Sequence, residues 1–151
     1  KYLADETAMT RTGVSATRKF EEGDLRATQA HGVIQSSIHL LENMQRAPAL
    51  IIPCIESRFE NEDVFTQASM YGSILPATWS LMLALRARRI ASAWTSLHLI
   101  YEKEVSELLG IPNDVTQAAL LPIAWLKGGD LGRAKRLPLR DVCYSNRWGE
   151  A

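Results

Sequence analysis

The sequence lacks several features that would assign it to a function class directly. Lys plus Arg equal Asp plus Glu at 17 each among 151 residues, so no net charge draws the protein to nucleic acid or to an anionic membrane. Its two cysteines, Cys54 and Cys143, lie far apart without the spacing of metal ligands. We therefore expect reduced thiols in a cytoplasmic protein, and neither a metal site nor a nucleic-acid partner.

Long apolar runs and a secretory signal are also missing. The most apolar stretch, residues 74–89, contains a proline, ends in arginines and falls short of the roughly 20 residues that a membrane-spanning helix needs. Residues 1–13 have no apolar core of a signal peptide. These absences predict a soluble protein without a membrane partner. Because the sequence starts at Lys1 rather than at a methionine, we expect that an N-terminal portion is missing from it.

Familiar catalytic motifs are absent as well. The sequence has no glycine-rich phosphate loop, no cluster of cysteine and histidine, and no G-x-S-x-G around a serine. Ser92 and Ser96 are close to His98, but His98 alternates with Leu97 and Leu99 along a segment that we expect to be extended. This pattern argues against a nucleophile paired with a base.

Three helices are predicted by the spacing of apolar residues. Asp24 is a suitable N-cap for an amphipathic helix that ends near Gln45, after an irregular stretch over residues 1–23. The strongest helical pattern runs from Ala68 to about Arg89 and predicts a central buried helix, which Pro76 either divides or kinks. A third, short helix over "EKEVSELLGIP" is stopped by its glycine and proline.

Apolar stretches at residues 47–56, 90–96 and 116–129 predict buried strands. Pro53 and Pro122 interrupt the first and the third, because a proline cannot donate to a strand ladder. Residues 56–65, "ESRFENEDVF", predict an acidic surface loop of a length that often covers a site. The alternation of helices and strands predicts a single α+β domain over residues 1–151, with its layers packed around one sheet.

Two stretches favour ligand binding over a purely structural role. "ASAWTSLHL" places small residues at the end of a predicted strand, where proteins of this class present backbone N–H groups to ligands. "RAKRLP" carries three cations with no acidic residue before Asp141, and could bind a phosphate.

Together these stretches resemble the nitroreductase family of flavin enzymes. The resemblance rests on "YGSILPATWSLMLALRAR", "SAWTSLHL", "ELLGIPNDVTQAALLPIAWLKGGD" and "AKRLPLRDV", in that order, and covers about Leu25 to Trp148. It implies an α+β fold with a mixed sheet flanked by helices, an obligate homodimer, and two FMN sites at the dimer interface. It also implies an extended C-terminal arm, for which Tyr144 and Trp148 would be anchors on the partner subunit.

The resemblance also implies roles for individual residues. The backbone of "AWTSL" would lie beside the flavin ring, with an N–H of Ser96 or Leu97 bonded to the ring nitrogen that receives hydride. Arg136, and after it Lys135, would contact the FMN phosphate. The set of residues that we expect at the cofactor is Trp94, Thr95, Ser96, Leu97, Lys135 and Arg136, and the candidates for contact with the substrate are Tyr71 and His98.

The sequence departs from the family in two places. The family's N-terminal R-x-S-x-R and P-S-x-x-N segments, which contact the phosphate and the ring, are absent. Arg89 and Ala91 stand where close relatives usually carry glycines. An FMN phosphate has about two negative charges, and the remaining cations supply only part of what normally pairs with them, so we expect weakened FMN binding by this chain alone.

Two functions remain open at this point. The first is an FMN-dependent oxidoreductase that passes hydride from NADH or NADPH through the flavin to a small electron-poor acceptor, such as a nitroaromatic or a quinone. In that case the flavin performs the chemistry and no side chain is catalytic. The second is a truncated or remnant family member that dimerises or sequesters flavin without turnover, which the missing N-terminal motifs favour.

Overall fold

The structure is a computed structural model that describes residues 24–129, 132–133 and 136–150. The predictions made for residues 1–23 and for Lys135 lie outside this part of the chain. The described helices are α1 (Leu25–Asn43), α2 (Val64–Ala87) and α3 (Glu102–Leu109). The described strands are β1 (Ala49–Ile51), β2 (Cys54–Ile55), β3 (Ile90–Ser92), β4 (Thr116–Gln117) and β5 (Leu121–Trp125). This combination of helices and small sheets confirms the predicted α+β fold class.

Helix α1 begins where its sequence predicts. The Asp24 side chain accepts a hydrogen bond from the backbone N–H of Arg26 at 2.7 Å, which caps the first turn. The helix ends at Asn43, and a 3-10 turn over Met44–Arg46 leads into β1. The predicted end near Gln45 therefore falls inside this turn.

Helix α2 begins four residues earlier than Ala68, inside the predicted acidic loop. The cause is Asp63, whose carboxylate accepts a hydrogen bond from the Thr66 N–H at 2.7 Å and so satisfies an N–H group that the helix start leaves unpaired. Hydrogen bonds from the backbone and the side chain of Thr66 hold the pKa of Asp63 below its usual value. Pro76 lies within the continuous helix and does not end it.

The prediction that α2 is a buried central helix is wrong for the single chain. The helix contacts β2 and β3. However, Trp79 is 56% exposed, Leu83 is 54% exposed, and Thr78 is the buried residue along its length. The apolar periodicity correctly predicts a helix. It indicates an apolar surface on that helix, but it does not indicate which molecule covers the surface.

By length and composition alone, α2 is also the one helix of the described residues that could cross a membrane. This differs from the expectation that no segment would reach the necessary length, because the helix starts at Val64 and extends the apolar stretch of residues 74–89. Length and composition are weak evidence by themselves, since core helices of soluble proteins pass the same test.

The described strands pair antiparallel in two sheets. One has the order β1-β5-β3 and the other pairs β2 with β4. Pro53 separates β1 from β2, as a proline in the middle of a predicted strand suggests. The buried core is concentrated in residues 115–122, which include β4 and the first two residues of β5, and Phe59 in the loop before α2 is also buried, at 2% exposure.

The ladder between β3 and β5 continues beyond the end of β3. The Ala93 N–H donates to the Pro122 carbonyl at 3.3 Å, and Thr95 and Leu120 exchange both backbone hydrogen bonds at 3.1 and 2.8 Å. Pro122 has no N–H to return to Ala93, so one bond is missing from an otherwise regular register. The predicted strand over residues 90–96 is therefore extended along β5 as far as Thr95.

After Thr95 the chain turns away from the sheet. Ser96 precedes a 3-10 helix over Leu97–Tyr101, which runs directly into α3. The expectation that His98 lies on an extended segment is therefore wrong. Helix α3 ends as predicted at Gly110, whose positive φ of 68° is the left-handed conformation that favours glycine after a helix.

Candidate functional site

The end of β3 presents backbone N–H groups at an open edge of the sheet. β3 is the last strand in the order β1-β5-β3, and the N–H groups of Ala93 and Thr95 both point toward β5. Because successive residues of a strand direct their N–H groups to opposite sides, those of Trp94 and Ser96 point away from β5. Among the described residues neither group has an acceptor.

The two N–H candidates that the sequence left open are therefore distinguished by their partners. The Leu97 N–H donates to the Thr95 hydroxyl oxygen at 3.2 Å, and the Thr95 side chain is almost fully buried. The Ser96 N–H is not engaged in this way, and Ser96 is exposed. Of the two candidates, Ser96 is the one whose backbone can donate to a ligand without giving up a hydrogen bond to another described residue.

An open groove of about 690 Å³ joins the end of β3 to the C-terminal segment. Ala93 and Arg136 both line it, and these residues belong to the two stretches that the sequence singled out separately. Its volume lies within the range of small-molecule sites in proteins, about 300–1,000 Å³. Most of its exposed lining is apolar, and Arg136 contributes a cation to it.

Most of the lining of the groove comes from α1, a helix in which no ligand contact was predicted. The helix contributes a stripe of mostly small or apolar residues, and these include Gly32, Val33, Ser36 and Leu40. Their spacing of three and four residues places them on one helical face. The sequence predicted the amphipathic helix, but it gave no sign that this face borders a groove.

Of the residues predicted at the cofactor, Arg136 lines the groove, whereas Trp94, Thr95, Ser96 and Leu97 are not among its lining residues. Trp94 is 39% exposed beside the open edge of β3, and Arg136 is exposed at the groove. Lys135, the second candidate for a phosphate contact, lies outside the described residues. The structure therefore places one of the two predicted cations at the groove.

Tyr71, a candidate for contact with the substrate, packs within the chain. Its ring meets that of Phe59 edge to face, with centroids 4.9 Å apart and an interplanar angle of 81°. Phe59 is buried, whereas Tyr71 remains 39% exposed. The contact accounts for the position of one face of the Tyr71 ring and leaves its outer edge accessible.

His98, the other substrate candidate, is buried on the 3-10 helix that follows Ser96. It is 5% exposed, and neither ring nitrogen has a hydrogen-bond partner among the described residues. Burial holds the pKa of His98 below its ordinary value of 6.5, and the nearby Glu102 carboxylate partly opposes this shift. At neutral pH the side chain is therefore a neutral imidazole.

Other reactive side chains in the described residues do not form a site. Cys54 and Cys143 are both free thiols and exposed. No three side chains of His, Cys, Asp or Glu in this part of the chain are grouped so that they could hold a metal ion.

The described end of the chain folds back on itself. The Ser145 N–H donates to the Glu150 carbonyl at 2.8 Å, and the rings of Tyr144 and Trp148 lie 5.1 Å apart. Trp148 is nevertheless 92% exposed. The two aromatics thus contact each other while presenting most of the Trp148 surface outward.

Comparison with known proteins places the chain in a family. The model of the nitroreductase family matches residues 8–125, more than three quarters of the sequence. The match starts before the expected Leu25 and ends before the C-terminal segment that contains Arg136. A search of the curated proteins found no match. The length of the matched region shows that the chain belongs to the nitroreductase family, whose members are in general flavin-dependent oxidoreductases.

Proposed function

We propose that this protein is an FMN-dependent oxidoreductase that takes hydride from NADH or NADPH and passes electrons to a small electron-poor acceptor of the nitroaromatic or quinone type. The observation that carries the proposal is the groove in which Arg136 and the end of β3 meet, in a chain of the nitroreductase family. FMN, when bound, supplies the chemistry of hydride and electron transfer. The chain's own residues bind and orient it.

The residues present fit an FMN in three respects. The groove is large enough for a flavin, its lining is mostly apolar as a ring system requires, and it includes Arg136, whose guanidinium is of the type that binds a phosphate. Three residues after Ala93 along the chain, the outward N–H of Ser96 gives a ring nitrogen a donor beside the groove lining. A backbone donor held by the Thr95–Leu120 pair suits this task because its direction does not depend on a rotamer.

The remaining parts of the proposal concern assembly and context. We place the protein in the cytoplasm as a homodimer of one-domain subunits, with Tyr71 and His98 on the acceptor side of the flavin. The exposed apolar surface of α2 and the outward-facing Trp148 support dimerisation, because exposed apolar surface of this extent is typical of protein–protein contacts.

Truncation of Arg136 tests the phosphate contact. Arg136→Ala should weaken FMN affinity by about tenfold, since a charge-assisted hydrogen bond to a phosphate contributes roughly 1.5–3 kcal/mol. Arg133→Ala is the matched control, because Arg133 belongs to the same basic segment, whereas Arg136 is its residue at the groove. Flavin fluorescence on titration with FMN measures both affinities. Equal affinities for the two variants would remove Arg136 from the phosphate site.

The visible absorption spectrum of the purified protein tests the function as a whole. A flavin band whose chromophore is released as FMN on denaturation, and which NADH or NADPH bleaches, is the expected result. A colourless protein that also fails to bind added FMN would contradict the enzyme and favour a remnant that has kept the fold without the cofactor.

A further inference from the structure

Arg58, in the loop between β2 and α2, uses all of its hydrogen-bonding capacity within the chain. Its Nη1 donates to Glu102 Oε1 at 2.8 Å and to the Val115 carbonyl at 3.0 Å. Its Nη2 donates to Glu60 Oε1 at 2.7 Å and to Glu102 Oε2 at 3.2 Å, and its Nε donates to Glu60 at 2.9 Å. The five N–H groups of a guanidinium are thereby all engaged. These bonds hold the loop at Arg58 in place.

These bonds join parts of the chain that are distant in sequence. Glu102 lies 44 residues from Arg58 and Val115 lies 57 residues away. The same junction is reinforced by the Thr116 hydroxyl, which donates to the Ser57 carbonyl at 2.6 Å. The Arg58–Glu102 pair is partly shielded, with side chains 34% and 22% exposed, so water screens it less than a fully exposed pair.

The two segments that Arg58 joins hold the two ends of the turn that contains the Ser96 N–H. Glu102 is the residue at which the 3-10 helix Leu97–Tyr101 passes into α3, so holding Glu102 fixes the far end of the turn. Val115 opens the buried stretch that leads to Leu120, whose two hydrogen bonds with Thr95 fix the near end. Buried Gln117 ties the two segments again, through its amide nitrogen to the Glu102 carbonyl at 3.2 Å.

We propose that Arg58 is a positioning residue for the flavin site, which acts through Glu102 and Val115 to hold the Ser96 N–H in a fixed direction. The inference rests on the proposed flavin function, but the clamp itself does not. Arg58 is not a ligand-binding group, because every N–H donor of its guanidinium is already bonded within the chain. The two carboxylates also hold the pKa of Arg58 above its usual range, so its charge is permanent.

The test compares Arg58→Met with Arg46→Met in the intact chain. Arg46 is an exposed arginine whose bond to Asn43 at 3.4 Å is local, so its loss should not reach the turn. Amide hydrogen exchange of Thr95, Leu97 and Leu99, whose N–H groups are hydrogen-bonded, should without flavin be about tenfold faster in Arg58→Met and unchanged in Arg46→Met. Arg58→Lys retains an ion pair with Glu102 but not the simultaneous bond to Val115; it should exchange at an intermediate rate and serves if Arg58→Met does not fold.

A second readout separates positioning from mere stability. At saturating FMN and NADH, the rate of flavin reduction per bound FMN should fall about tenfold in Arg58→Met, because a displaced donor misaligns the reacting ring. A variant that is only less stable would keep the wild-type rate while folded.

Each outcome of the two readouts has a definite meaning. Unchanged exchange at Thr95, Leu97 and Leu99 would overturn the clamp, whether or not the protein binds FMN. Faster exchange with a wild-type rate of flavin reduction would overturn the positioning role. Wild-type protein that binds no FMN would overturn the proposed function and with it the role of Arg58 at the flavin, while the exchange data would still report on the clamp.

Discussion

Arg89 shows how one residue can conflict with the backbone that it occupies. It follows the C-terminal end of α2 with φ of 59°, a left-handed conformation that costs most residues free energy and costs glycine little. Its N–H still donates to the Arg86 carbonyl at 3.0 Å, and its carbonyl accepts from Leu126 at 2.9 Å. The resemblance places a glycine just before this strand in close relatives, and the backbone explains why.

Paired substitutions at the end of α2 isolate that conflict. Arg89→Gly should be more stable than Arg89→Ala by about 1 kcal/mol, because both variants lose the side-chain bond to Gly128 and differ only in the left-handed backbone. At Arg88, where φ is −102°, the order should reverse. Urea denaturation of the four variants measures the free energy of unfolding. A glycine variant that is no more stable at position 89 would contradict the strain.

The burial of His98 predicts that the free energy of unfolding falls in mildly acidic solution. Its folded-state pKa is lowered, so below pH 6.5 the unfolded chain takes up a proton that the buried ring still refuses. The neutral ring of His98 therefore makes its full contribution to the free energy of unfolding above pH 6.5. This contribution is lost progressively as the pH falls toward the folded-state pKa of His98. Urea midpoints at about pH 7.5 and about pH 5.5 measure the loss.

Replacement of His98 by an apolar ring provides the control for this prediction. In His98→Phe the difference between the two midpoints should shrink, and stability at neutral pH should not fall by much, because two unpartnered buried nitrogens are removed. An unchanged pH dependence in His98→Phe would assign the loss to other groups.

At the scale of elements, the sequence predicts what local chemistry determines and misses what distant contacts determine. Asp24 fixes the start of α1 and Gly110 the end of α3, because caps act within one or two turns. The prediction that His98 lies on an extended segment was wrong because the alternation of Leu97, His98 and Leu99 fits a strand and a 3-10 turn equally well. The direction of the chain is decided one residue earlier, where Thr95 makes its last bonds to Leu120.

The candidate site was only partly predictable for the same reason. Small residues after a strand and cations near the C-terminus indicated two halves of a site. The wall that joins them comes from α1, and residues such as Gly32 and Ser36 acquire this role only when α1 lies beside the end of β3. Arg58 gave no signal either, because its partners are 44 and 57 residues away.

At the scale of the whole molecule, α2 is an apolar helix whose surface the described residues bury only in part. Phe65, Trp79 and Leu83 fall on one helical stripe, at intervals that add to whole turns, and all three are more than half exposed. Water in contact with so large an apolar stripe is unfavourable, at about 25 cal/mol per Å². A second copy of the chain is the occupant that the proposed homodimer supplies.

Charges on that stripe should therefore break the assembly. Trp79→Glu combined with Leu83→Glu should halve the mass measured by light scattering and weaken FMN binding, since the proposed flavin sites lie at the interface. Leu108→Glu is the control, because Leu108 on α3 is 83% exposed and lies off α2. A wild-type mass equal to one chain would contradict the homodimer. Wild-type protein recovered only in the membrane fraction would instead assign α2 to the bilayer, because the helix is long and apolar enough to cross one.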